Sequence, residues 1–165
     1  MSVIRLIMPS ELHKSDIKIL QLLQSDASIS TGAIAEKVNL SQSPCWRRIS
    51  RIEQEGYIRK RVALLDRKAL GMEVVVFATV SLTANGRQNL EEFEAEIVKY
   101  PEVMECYTMA GIWDYILKIV TRDISHYEAF ARNTLAHSPH IRELHSHMAV
   151  TEIKNTTELP LETQL

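Results

Sequence analysis

From Ser30 to Gly56 the chain reads STGAIAEKVNLSQSPCWRRISRIEQEG, two helical patterns separated by three residues. That short break constrains the fold more than any other feature, because two helices so connected must turn sharply and pack on each other. Ser30 is suited to cap the first of them, which is expected to run through Val38 with Ile34, Ala35 and Val38 on its apolar face. Asn39 tolerates the left-handed conformation that ends helices. Ser41 is placed to cap the second, and Pro44 falls in its first turn, where a missing amide costs little. This helix is expected to end at Glu55, with Gly56 as the stop. Its Cys45, Ile49 and Ile52 lie at i, i+4 and i+7 and form a core stripe, while Ser43, Arg47, Ser50, Arg51 and Gln54 fall on other faces. A preceding helix is predicted in SDIKILQLLQSD, with Ile17, Leu20 and Leu23 or Gln24 at helical spacing and Ser15 and Asp16 at its start.

Charge separates the second of the paired helices from the remainder. Residues 41–61 hold six basic and two acidic groups, a net +4, which leaves −6 elsewhere in a chain of net −2. Segregation of this kind suits an anionic partner, and a helix-turn-helix with a basic second helix points to double-stranded DNA. Beyond Gly56, residues 57–65 are β-branched and basic enough for a short strand or wing. There Arg59, Lys60 and Arg61 are expected to meet phosphates.

Downstream the texture changes to alternating strands and helices. Strands are predicted over 74–82, 103–109, 115–120 and 141–150, with helices over 90–99 and 124–135. The order βαββαβ is the ferredoxin-like arrangement: a four-stranded antiparallel sheet with both helices on one face. The expected class is therefore α+β, an N-terminal winged helix-turn-helix head followed by a ferredoxin-like regulatory domain. We place the head at 1–61, a linker strand and hinge at 62–73, and an effector-binding and oligomerisation domain at 74–165.

The segments DIKILQLLQSDASIS, IAEKVNLSQSPCWRRISRIEQEGYI, VALLD, MAGIWDYILK and EIKNTTELPL resemble the Lrp/AsnC, or feast/famine, family of transcription regulators. The likeness spans 12–161. It implies dimers that assemble further, often to octamers, with small effectors, usually amino acids, held between dimers. Leu12-His13, Ile112 and Pro139-His140 depart from the common pattern of the family, and the effector's identity is the feature they touch most.

For DNA, the first turns of the recognition helix are expected in the major groove, through Ser41, Gln42, Ser43, Trp46, Arg47 and Arg51. Gln42 suits adenine and Arg47 a bidentate contact to guanine. Arg59, Lys60 and Arg61 would position the protein without reading sequence. Arg48 stands beside the core stripe, where pairing with Glu53 or Glu55 is the competing role.

A free amino acid needs an acceptor for its ammonium, amides for its carboxylate and an apolar wall. The loop from Met109 through Tyr115 offers Gly111 for exposed amides, Asp114 as acceptor, and Met109, Ile112 and Trp113 as walls. The family resemblance extends the candidate set to Thr108, Ile124, His147 and Ala149.

Three rival readings follow from the residues. His137, His140, His145 and His147 crowd the end of the chain and suit a metal sensor, although no cysteine or carboxylate shares a known spacing with them. Cys45 and Cys106 form no C-x-x-C pair, so neither a disulfide framework nor a zinc-ribbon spacing is present and reduced thiols are expected; no cofactor and no metal are expected beside the amino-acid effector. Catalysis lacks a motif: there is no G-x-S-x-G, H-E-x-x-H, P-loop or G-x-G-x-x-G. The third rival is an architectural DNA-binding protein whose second domain only oligomerises. The start, MSVIRLIMPSELHKSD, has no signal-peptide layout, and no apolar run spans a membrane, so a cytoplasmic, nucleoid-associated protein is expected.

Overall fold

The computed structural model describes residues 11–83 and 86–161, and the apolar run at 3–8 lies outside them. The chain divides into two compact units, one of residues 11–64 with the tail 154–161, the other of residues 65–153.

The first unit is built on three helices: α1 (Lys14–Ser25), α2 (Thr31–Lys37) and α3 (Gln42–Gln54). Ser30 caps α2 through the Ala33 N–H, and Asn39 ends the turn at φ 55°. The α3 stripe forms as its spacing requires, with Cys45, Ile49 and Ile52 buried against Ile19, Leu23, Ile34, Ala35 and Val38. Ile52 is fully buried, so truncation to alanine there would cost ~2–5 kcal/mol. Ser41 precedes α3 with extended backbone, but its hydroxyl makes no cap, contrary to expectation. At the start of α1, His13 takes the cap position and donates its backbone N–H to Asp16 Oδ2 at 2.9 Å.

Three expectations need correction here. Residues 58–66 form no strand; they are irregular chain, since among the described residues nothing pairs with them in a ladder. The linker strand and hinge expected at 62–73 is instead irregular chain followed by a fastened turn, where Asp66 Oδ1 accepts from the Lys68 and Ala69 N–H groups. Arg67 closes it onto the Met72 and Glu73 carbonyls. The tail also belongs elsewhere than expected. Instead of completing the domain at 74–165, it returns to the helical unit, where the Gln24 side-chain amide exchanges two 3.0 Å hydrogen bonds with the Leu159 backbone. Gln21 adds a 2.8 Å donor to the Leu161 carbonyl.

The second unit contains β1 (Val74–Leu82), α4 (Arg87–Ile97), β2 (Val103–Thr108), β3 (Tyr115–Thr121), α5 (Ile124–Asn133) and β4 (Ile141–Met148). The sheet order is β2-β3-β1-β4, every pair antiparallel, as the ferredoxin-like reading requires. Alternation along β1 decides which face is covered: Val76, Ala78, Val80 and Leu82 are buried with Phe93 and Ile97 of α4 and Tyr127 and Phe130 of α5. The other face carries Phe77, Thr79, Tyr107 and His145, and no helix of this unit covers it. Phe77 is 40% exposed and Tyr107 56%, an apolar surface left open within one chain.

Candidate DNA interface and ligand loop

The start of α3 lies beside the start of α2, and Thr31, Gln42, Ser43 and Trp46 line a shallow concavity there. Ser41 and Arg47 are exposed, and Trp46 is 59% exposed despite its size. These side chains have local causes for pointing outward, since Cys45, Ile49 and Ile52 take the buried side of the helix. Thr31 was not among the expected residues. Its signal was its place directly after the Ser30 cap, across the short turn from α3.

The arginines divide. Arg48 Nη1 donates to Asp16 Oδ1 at 2.9 Å and Arg51 Nη2 to Asp16 Oδ2 at 2.6 Å, and the Asp16 side chain is fully buried. Arg51, expected on the reading edge, is therefore engaged with α1, and Arg48 pairs with Asp16 rather than with Glu53 or Glu55. Burial pushes the Asp16 carboxyl up, but the His13 N–H and the two guanidiniums outweigh it and hold the group below its ordinary value. Arg61 is likewise tethered, to Glu53 Oε1 at 2.8 Å and to the Ala27 carbonyl at 3.2 Å. Arg59 and Lys60 are exposed.

In the second unit, the loop between β2 and β3 is closed by Met109 N–H donating to the Asp114 carbonyl at 2.8 Å. Asp114 N–H donates to the Val80 carbonyl at 2.9 Å, and Asp114 Oδ2 accepts the Leu82 N–H at 2.7 Å. The carboxylate expected to hold an ammonium thus fastens the loop to β1 with one of its oxygens. Gly111 sits at φ 149°, where side chains are strained, and Ile112 is 87% exposed at the tip. Trp113 packs on His145 of β4 at 4.5 Å between ring centroids, a partner the sequence did not reveal. Tyr115 is buried and donates its hydroxyl to Glu94 at 2.8 Å, while burial and that carboxylate push its ionisation far up.

The expected effector residues fall into two groups. Thr108, Met109, Gly111, Trp113 and Asp114 gather at the sheet end marked by Val80 and Leu82. Ala149, whose N–H donates to the Val75 carbonyl, and Ile124, just beyond β3, lie at the opposite end. Val75 and Val80 are five residues apart along β1, about 17 Å. His147, opposite Phe77, lies between them. One chain does not bring these residues into a single pocket.

The histidines do not assemble either. His145 is taken up by Trp113, His140 Nδ1 lies 2.7 Å from Asn89 Oδ1, and His137 Nδ1 lies 2.8 Å from the Arg132 carbonyl. Among the described residues no three histidines, cysteines or acids stand together as a metal would need. Cys45 and Cys106 are free thiols, both pushed up by burial. No described helix is long and apolar enough to cross a membrane.

Comparison with known proteins finds two family models, the second of which takes in tail residues 154–159 that group with the helical unit here. Residues 12–59 match the winged helix-turn-helix DNA-binding model, and residues 75–159 match the Lrp/AsnC ligand binding domain. The DNA-binding transcriptional activator DecR of Escherichia coli is 34% identical over 92% of this chain and 99% of its own. A transcriptional regulator of Neisseria meningitidis, solved as its L-Met complex, superposes with a TM-score of 0.89 at 35% identity, covering 94% of this chain and 100% of the other. An AsnC family transcriptional regulator from Agrobacterium tumefaciens gives 0.88 at 41% identity, covering 93% and 100%. With a helical unit that presents Gln42 and Arg47 outward and a sheet unit of the ligand-binding type, the chain belongs to the Lrp/AsnC family of DNA-binding, ligand-responsive transcriptional regulators.

Proposed function

We propose that this regulator reads an operator with the first turns of α3 and that an amino acid, bound in the sheet domain, changes its DNA affinity or assembly. The observation that carries the DNA part is the exposed edge of Ser41, Gln42, Ser43, Trp46 and Arg47 beside Thr31, backed by a fully buried stripe. Gln42 and Arg47 are the base readers, with adenine and guanine as their respective partners. Arg59 and Lys60 grip phosphates, and Arg61 does so only after giving up Glu53. The chain then works in the cytoplasm, on the nucleoid.

The amino-acid part draws on the resemblance to the Neisseria regulator solved with L-methionine. The loop 109–114 supplies amides at Gly111 and walls at Met109, Ile112 and Trp113. Because Ile124 and Ala149 lie at the other end of the sheet, the pocket is completed by a second copy of the chain, and the open face with Phe77 and Tyr107 pairs with its equivalent in a dimer. Dimers then assemble further, with the effector between them. Effector coupling of ~1–3 kcal/mol suffices to switch operator occupancy.

One observation favours a second reading. Since Asp114 already fastens the loop to Leu82, the sheet domain could serve assembly alone, in an architectural DNA-binding protein. A thermal-shift screen of the twenty amino acids separates the two, because only a ligand that binds the folded state raises the melting temperature. A rise with one or a few of them supports the ligand-responsive reading, and no rise with any supports the architectural one.

A further inference from the structure

Among the described residues, Asp16 is the one charged side chain that is fully buried. Its oxygens serve three donors from two elements: Arg48 and Arg51 of α3, one turn apart, and the His13 N–H at the start of α1. Both arginines remain about one third exposed, at 32% and 33%. They occupy one flank of α3, between the buried Cys45, Ile49 and Ile52 stripe and the edge that carries Ser43 and Arg47. An arginine that closes a buried carboxylate cannot leave for a solvent-screened phosphate without stranding that charge.

We propose that Asp16 is a positioning residue for DNA recognition: through Arg48 and Arg51 it fixes the rotation of α3 about its own axis and withdraws both arginines from contact with DNA. This rests on the reading of α3 as the recognition helix. The +4 of residues 41–61 is then not one electrostatic patch. Two of its six cations neutralise an acid from α1, a third is tied to Glu53, and Arg47, Arg59 and Lys60 remain to meet DNA.

The test uses the full-length chain, a duplex selected by the wild type from random sequence, and a scrambled duplex of equal length. Selection of no duplex by the wild type would refute the DNA reading itself, before any variant is made. Given a selected duplex, Arg51→Gln should weaken its binding at least ~10-fold, leave scrambled binding unchanged, and keep the wild-type salt slope. Asp16→Asn should give the same specific loss with a steeper slope, by up to ~1.8, because each freed arginine that meets a phosphate adds ~0.9. A slope flattened by ~0.9 in Arg51→Gln would show a phosphate contact and overturn the proposal. Unchanged specific affinity in both variants would overturn it too. If Asp16→Asn does not fold, Arg48→Gln and Arg51→Gln carry the test, since a merely structural role lowers both affinities together.

Discussion

Asp114 Oδ2 accepts the backbone N–H of Leu82 at 2.7 Å, which joins the loop between β2 and β3 to the end of β1. A hydrogen bond to a charged group contributes ~1.5–3 kcal/mol, so Asp114→Ala should lower the unfolding free energy by about that much. Asp114→Asn retains an acceptor and should lose less than half as much. If the carboxylate also takes the effector's ammonium, the Asn variant folds well yet loses ligand affinity, as titration calorimetry would record. Full ligand affinity in Asp114→Asn would leave the residue as a loop fastener only.

Arg47 stands exposed on α3, whereas Arg48 and Arg51 are held by Asp16. Arg47→Ala should therefore cost ~1–3 kcal/mol on the operator and far less on random DNA. Fluorescence anisotropy on both duplexes measures the ratio. Equal losses on the two would remove its base-reading role.

Beyond α3, Arg59 and Lys60 are exposed whereas Arg61 is bound to Glu53 and the Ala27 carbonyl. Replacing Arg59 and Lys60 together by alanine should reduce the salt slope by ~1.8, at ~0.9 per phosphate. Arg61→Ala should change it by much less. A larger change from Arg61 than from the pair would reverse the assignment.

Asp16 gives a pH dependence with a definite sign. Burial alone would raise its carboxyl, but the His13 N–H, Arg48 and Arg51 hold it below the ordinary 3.8. A depressed folded-state value means the stabilisation is complete above the unfolded-state pKa and is lost as pH falls through the folded one. The stability difference between wild type and Asp16→Asn should be constant from neutrality to about pH 5 and shrink below about pH 4. Denaturant unfolding followed by circular dichroism measures it, and a difference that grows on acidification would contradict the assignment.

Local spacing made much of this molecule legible. The Cys45, Ile49 and Ile52 stripe, the left-handed Asn39 and the bounds of β1 are consequences of residues within a few positions of one another. What stayed hidden joins distant positions. Asp16 finds Arg51 across 35 residues, Asp114 finds Leu82 across 32, and Gln24 finds Leu159 across 135. Packing brings those partners together, and periodicity cannot announce them. Arg51 read as a DNA contact because its helical angle is right, and its carboxylate came from another helix. Ile124 and Ala149 entered the candidate set through the family resemblance, and the sheet of one chain holds them at the end opposite the 109–114 loop. The strand expected at 57–65 failed differently: β-branched residues there favour a strand, yet a strand needs a partner to pair with.

In the proposed function an amino acid controls how this chain binds DNA. That control is tested most directly by anisotropy titration of the full-length protein on its selected duplex, with and without each of the twenty amino acids at millimolar concentration. We expect at least one of them to shift the affinity by ~5-fold or more, with the shift abolished by replacing Trp113 with alanine. Identical binding curves under all twenty conditions would contradict the claim and leave the sheet domain with assembly alone.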